Sequence, residues 1–127
     1  MREIESRFRT GVDTDLAQQI VEELGMFVRQ FYVPSDPAQY MRLVAQWEKS
    51  LNMGKKYPPH IYLDAISSWL SEATHKTFPP YPGDILEHCR KVMDRIGDDP
   101  IEGPKMKKWW EDRRMARIEW MVGEDNE

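Results

Sequence analysis

The side chains able to carry chemistry are few, and their spacing suits little of it. Three histidines (His60, His75 and His88) and one cysteine (Cys89) are the candidates for a metal site or a nucleophile. His88 and Cys89 are neighbours in a helical stretch, so their side chains point about 100° apart and do not converge on one ion. No Cys-x-x-Cys or His-x-x-x-His pair occurs, so no metal site is expected. Cys89 falls on the apolar stripe of its helix, where a thiol behaves as a small hydrophobe. His60 and His75 read as exposed residues near helix ends. The carboxylates sit on faces expected to be solvated, which makes a general acid–base pair a poor reading. There is no glycine-rich phosphate loop and no dinucleotide fingerprint. No cofactor and no catalysis are expected.

The segment Lys105–Arg117 has a different character. It holds six basic residues against two acidic ones, together with Trp109 and Trp110. Three readings fit this mixture. Lys and Arg with Trp can bind nucleic acid through phosphate contacts and base stacking. Trp and Arg also dominate the energetic centres of protein interfaces. Alternatively, Trp109, Ile118 and Met106 form a stripe that folds onto the rest of the chain. The formal net charge of −4, and Glu111–Asp112 within the segment, argue against DNA. Direct nucleic-acid binding is therefore expected to be weak or absent. The expected partner contacts are Lys105, Lys107, Lys108, Trp109, Trp110, Arg113, Arg114 and Arg117.

The elements that must position these residues follow from periodicity and punctuation. Leu16, Ile20, Leu24, Phe27, Val28 and Phe31 recur in steps of three and four, one face of a helix. Asp13 or Thr14 caps its start. Gly25 lies inside this pattern and marks a close helix crossing. Pro37 opens a second helix, with Tyr40, Leu43, Val44, Trp47 and Leu51 on one face. Asn52-Met53-Gly54 forms its C-terminal stop, with Gly54 supplying the left-handed cap. A third helix carries Ile61, Tyr62, Ala65, Ile66, Trp69 and Leu70, followed by a polar break at 74–77. The run Phe78-Pro79-Pro80-Tyr81-Pro82 is stiff and extended, because each proline restricts the residue before it. A fourth helix follows, with Asp84 in its first turn and Ile85, Leu86, Cys89, Val92, Met93 and Ile96 on its apolar face. After Gly97–Pro100 a fifth runs from Pro104 to about Val122. No period-two run of β-branched residues occurs. The expected fold is all-α: a small compact bundle of four helices plus a C-terminal basic and aromatic helix. The expected division is a helical core at 1–97, then a linker and partner-contact helix at 98–127.

Size and composition agree with that picture. The 127 residues are 40% hydrophobic and 31% charged, the profile of a globular chain of one-domain size. A single cysteine excludes an internal disulfide and fits a reducing cytosol. The charged first ten residues do not form a secretory signal, and no stretch approaches the ~20 apolar residues needed to span a bilayer.

From Trp47 to Ile96 the order of features resembles a known family. A helix with Trp47 and Leu51 comes first, then Tyr62-x-x-Ala65-Ile66-x-x-Trp69-Leu70. Phe78-Pro79-Pro80-x-Pro82-Gly83-Asp84-Ile85 opens the next helix. This resembles the small helical bacteriophage proteins that load and inhibit the replicative helicase. The resemblance covers about half of the chain. It departs from the expected form at Tyr81-Pro82-Gly83, where a Thr commonly follows the two prolines. It implies a non-enzymatic adaptor acting in the cytoplasm of a bacterial host. Such an adaptor binds the ATP-bound helicase hexamer, restrains it and engages an origin-bound initiator. It also implies that Phe78 plugs the core, with Trp47, Trp69, Pro79, Pro80 and Asp84 in structural roles, and that the C-terminal part contacts the helicase. A small helical DNA-binding or transcriptional regulator, or a phage inhibitor of another host complex, remains the alternative.

Overall fold

The computed structural model describes residues 7–72 and 78–125. Among these the chain is all-α, with five helices and no strand: α1 (Thr14–Phe27), α2 (Pro37–Leu51), α3 (Pro59–Glu72), α4 (Pro82–Asp98) and α5 (Glu102–Asp125). The chain divides into two compact units, Thr10–Val92 on the one hand and Met1–Arg9 with Met93–Glu127 on the other. The division between the two units lies within α4, which runs on unbroken to Asp98, and Arg7–Arg9 fall in the same unit as α5.

In the unit Thr10–Val92 the helices start where their capping chemistry dictates. Asp13 caps α1, its Oδ1 accepting from the Leu16 amide at 2.8 Å. Asp36 caps α2 by accepting from Gln39 N–H at 3.0 Å, and Pro37 takes the first helical position. Each cap satisfies an amide that has no partner within its helix. The core is built from Leu16, Ala17, Ile20, Val21 and Leu24 of α1, Val44, Trp47 and Leu51 of α2, and Ile61, Tyr62, Ala65, Ile66 and Trp69 of α3. Tyr62 is fully buried, and its hydroxyl accepts from the Tyr57 amide at 3.1 Å.

Three local expectations change. α1 stops at Phe27, which is exposed, while Phe31 lies outside the helix and still packs its ring edge-on to Trp47 at 5.6 Å. A side chain at Gly25 would come within 2.6 Å of Val33 Cγ2. Gly25 thus admits the loop after α1 rather than a crossing helix. The stop of α2 is made by Asn52, not by a left-handed Gly54. The Asn52 Nδ2 donates to the Glu48 and Val12 carbonyls, each at 2.8 Å, and its Oδ1 accepts from Val12 N–H at 2.9 Å. One amide side chain thereby closes a helix end and holds the irregular segment at Val12, 40 residues away. Gly11 beside it takes φ 85°, and a Cβ there would meet Asn52 Oδ1 at 2.7 Å. Glycine meets both the dihedral and the space requirement at that point.

In the other unit, α5 begins two residues earlier than expected. Asp99 Oδ1 accepts from the Ile101 and Glu102 amides, both at 2.8 Å. These two bonds, the Glu102 one first, hold the Asp99 carboxyl below its ordinary pKa. The connection expected as a linker is only the three residues 99–101. Gly103 permits this tight turn: a Cβ there would lie 2.8 Å from Gly97 O and 3.0 Å from Ile96 O.

Candidate protein-contact site

α5 presents its side chains on two dissimilar faces. On one, Trp109 packs against Phe8 with ring centroids 5.7 Å apart, and Trp110 stands edge-on to Trp109 at 4.9 Å. Arg113 donates from Nε to the Phe8 carbonyl at 2.9 Å and lies over the Trp110 ring at 5.7 Å. Phe8 is buried, and the two tryptophans and Arg113 are half-buried. Burial first, and the neighbouring Arg117 charge second, push the Arg113 guanidinium below its ordinary pKa. It remains a cation at neutral pH.

The rest of the helix surface is open. Lys105, Lys107, Lys108, Arg114 and Arg117 are exposed. Lys108 pairs with Asp112 one turn on at 3.0 Å, and Lys105 with Glu102 at 3.6 Å. Solvated pairs of this kind contribute a few tenths of a kcal/mol. Among these cations lie exposed apolar side chains: Met115 at 51%, Ile118 at 48% and Met121 at 57%. The eight residues expected to meet a partner are thus divided. Trp109 and Arg113 already hold Phe8, Trp110 packs against those two, and the five remaining cations are exposed, as are Met115, Ile118 and Met121. Sequence reasoning left those last three out of the site, although steps of three along one helix were the available signal.

The expected structural residues are also divided. Trp47 and Trp69 are buried in the core. Asp84 closes the start of α4, its Oδ2 accepting from the Tyr81 amide at 2.8 Å while its own amide donates to the Tyr81 carbonyl. Pro80 is buried and Pro79 half-buried. The core plug expected at Phe78 is corrected: its side chain is 73% exposed, and Pro80 fills the inward position instead.

A buried polar group was not foreseen. His88 is only 2% exposed, and both ring nitrogens are engaged. Nδ1 lies 2.9 Å from Ser68 Oγ, and Nε2 lies 3.2 Å from Glu72 Oε2. Lys91 reaches the same Glu72 oxygen at 3.3 Å. The signal was available, because Ile85, His88, Cys89 and Val92 fall on one stripe and Ser68 and Glu72 lie one turn apart on α3. A serine, a histidine and a carboxylate in contact invite comparison with a nucleophilic triad. Ser68, however, is 8% exposed within a continuous helix, where a substrate carbonyl would have no approach. The group acts as a polar tie between α3 and α4, satisfying groups that would be expensive to bury alone. Cys89 beside it is fully buried, and burial pushes its thiol up to about 12, so it packs as a neutral side chain. His60 is exposed, and His75 lies outside the described residues. Among the described residues no three His, Cys, Asp or Glu side chains gather to hold a metal, and no helix is long and apolar enough to cross a membrane.

Compared with protein-family models, curated proteins and solved structures, the chain has no match.

Proposed function

We propose that this protein is a non-enzymatic adaptor that grips a protein partner through α5, and that the partner is the hexameric replicative helicase of a bacterial host in its ATP-bound state. The observation that carries the protein-contact reading is the open surface of α5, where Met115, Ile118 and Met121 stand exposed among Arg114, Arg117 and Lys107. Apolar centres ringed by cations suit a groove with an apolar floor and an acidic rim. The identity of the partner rests on the resemblance over Trp47–Ile96. On this reading the protein acts in the host cytoplasm, restrains the helicase and delivers it to an origin-bound initiator.

The test is binding of the full chain to the purified host helicase hexamer with ATP and Mg²⁺, comparing the unaltered protein with Arg114→Glu/Ile118→Asp. Both positions are exposed, so helical circular dichroism should be unchanged. Affinity for the helicase should fall at least tenfold. Undiminished binding would remove α5 from the contact. No binding by either protein would remove the helicase. In that event, capture of DNA with an affinity that falls steeply with salt would favour the regulator reading.

A further inference from the structure

We infer that α5 pairs antiparallel with the α5 of a second copy of this chain, through the face that carries Met115, Ile118 and Met121. The inference goes beyond the adaptor reading and does not depend on the identity of the helicase partner.

The apolar strip points away from the contact that α5 already makes. At 100° per residue, Ile118 lies about 160° round the helix from the midpoint of Trp109 and Arg113, the two residues that hold Phe8. Met115 and Met121 stand about 60° to either side of Ile118. All three are exposed. A second helix laid on this strip removes apolar surface from water, which favours association.

Charge selects the helix that covers it. Residues 105–117 hold six basic and two acidic side chains, and residues 118–125 hold three acidic and none basic. Both blocks lie in the one helix, which runs on to Asp125. Their junction, between Arg117 and Ile118, falls at the middle of the apolar strip. Arg114, Arg117 and Glu119 beside that junction are exposed. A two-fold axis at the junction runs the second copy in the opposite direction. It lays strip on strip and each basic block against an acidic one. A parallel pair would set like charge against like along the helix. Two acids interrupt the basic block, and one of them, Asp112, is balanced by Lys108 at 3.0 Å. The overlap spans about three turns of helix, so the interface is small and the dimer is weak and concentration-dependent. The face is the one read above as the partner contact, so the dimer and the partner complex exclude one another. Self-pairing covers the strip until a partner displaces the second copy.

Sedimentation equilibrium of the full chain over a wide range of concentration tests this. The chain should show a reversible monomer–dimer equilibrium, and Ile118→Asp should weaken it at least tenfold. A charge exchange tests the antiparallel order. Arg114→Glu/Arg117→Glu sets acids against acids beside the strip, and Glu119→Lys/Glu124→Lys sets bases against bases. Each variant alone should dimerise at least tenfold more weakly than the parent. An equimolar mixture of the two should form a heterodimer at least tenfold tighter than either variant with itself, because each altered block then meets its complement. A chain that stays monomeric throughout, a dimer indifferent to Ile118→Asp, or a mixture no tighter than its components would overturn the proposal. Should Ile118→Asp disturb the circular dichroism, the mixture decides, since recovery through complementary charge requires two folded chains. No helicase enters this assay. A monomeric chain leaves the helicase titration to be judged alone, and a helicase indifferent to α5 leaves the sedimentation result unaltered.

Discussion

Gly103 and Gly97 provide a sharp test of how the turn into α5 is built. Both are helical glycines, and by intrinsic preference Gly→Ala at either should stabilise, by about 0.4–1 kcal/mol. The surroundings separate them. A Cβ at Gly97 meets nothing within 4 Å, whereas at Gly103 it lies 2.8 Å from Gly97 O and 3.0 Å from Ile96 O. Those oxygens belong to the backbone of α4 and cannot swing aside as a side-chain tip would. Ordinary carbon–oxygen contacts are several tenths of an ångström longer, so the start of α5 must shift. Overpacking of that kind costs about 1–3 kcal/mol. Set against the propensity gain, Gly103→Ala should destabilise by about 1 kcal/mol net, while Gly97→Ala should stabilise by roughly 0.5 kcal/mol. For a chain of this length 1 kcal/mol corresponds to roughly 3–5 °C in Tm. Thermal melts followed at 222 nm should therefore move the two variants in opposite directions. A Gly103→Ala protein that melts at or above the parent temperature would refute the close approach and the rigid turn derived from it.

Four further outcomes follow from the same reasoning. Asn52→Ala removes three hydrogen bonds and should lower stability by about 2–3 kcal/mol in urea unfolding, with an unchanged m-value. His88→Leu should cost about 1–3 kcal/mol, and the double variant with Ser68→Ala should recover part of the loss, as expected for coupled partners. Burial holds the Cys89 thiol up from 9.0 to about 12 and the Tyr62 phenol up from 10.0 to about 12. Raised folded-state values mean stability is fully present below the unfolded values and lost as pH rises from about 9 towards 12. Each group adds up to ~1.4 kcal/mol per pH unit to the slope, and Cys89→Ala should flatten the fall between pH 9 and 10. The Asp99 carboxyl, held low by two amides, contributes stability above the ordinary carboxylate range that is lost as pH falls through its folded value. The acid arm of the amide-exchange profile at residues 101–103 should disappear in Asp99→Ala.

The sequence was most legible where short-range chemistry acts. Helix existence, the caps at Asp13 and Asp36, the proline openings and the buried Trp47 and Trp69 all follow from spacing and local hydrogen bonding. It was least legible where partners are far apart in the chain. The stop of α2 depends on Asn52 meeting Val12, and no local rule selects an amide over the nearby Gly54. Phe78 sits in a proline-stiffened run that looks like a plug by composition, yet which of its neighbours faces inward depends on how the run leaves α3. His88 was assigned by contrast with Cys89, although two adjacent residues can both fall within the wide apolar face of a buried helix. For the candidate site, the composition of α5 was plain, but its division into two faces was not. Apolar residues occur around most of the helix, so periodicity within α5 alone could not show that Phe8, 101 residues earlier than Trp109, claims one side.

That division bears on how a partner would meet the helix. A charged segment after a presumed linker would have to fold as it binds, which lowers affinity by the entropy of ordering. In the structure α5 is helical from Glu102, begins three residues after α4, and is fixed there by Asp99, Gly103 and the Phe8 contact. Much of the ordering is complete before any encounter, so a partner would meet a helix surface already shaped. Binding through Arg114, Met115 and Ile118 should then leave the helical dichroism of the chain unchanged and give a heat-capacity change no larger than the buried contact area requires. A large gain in helicity on binding would mean that α5 is formed by its partner. The two-sided helix would then be the bound state rather than the resting one.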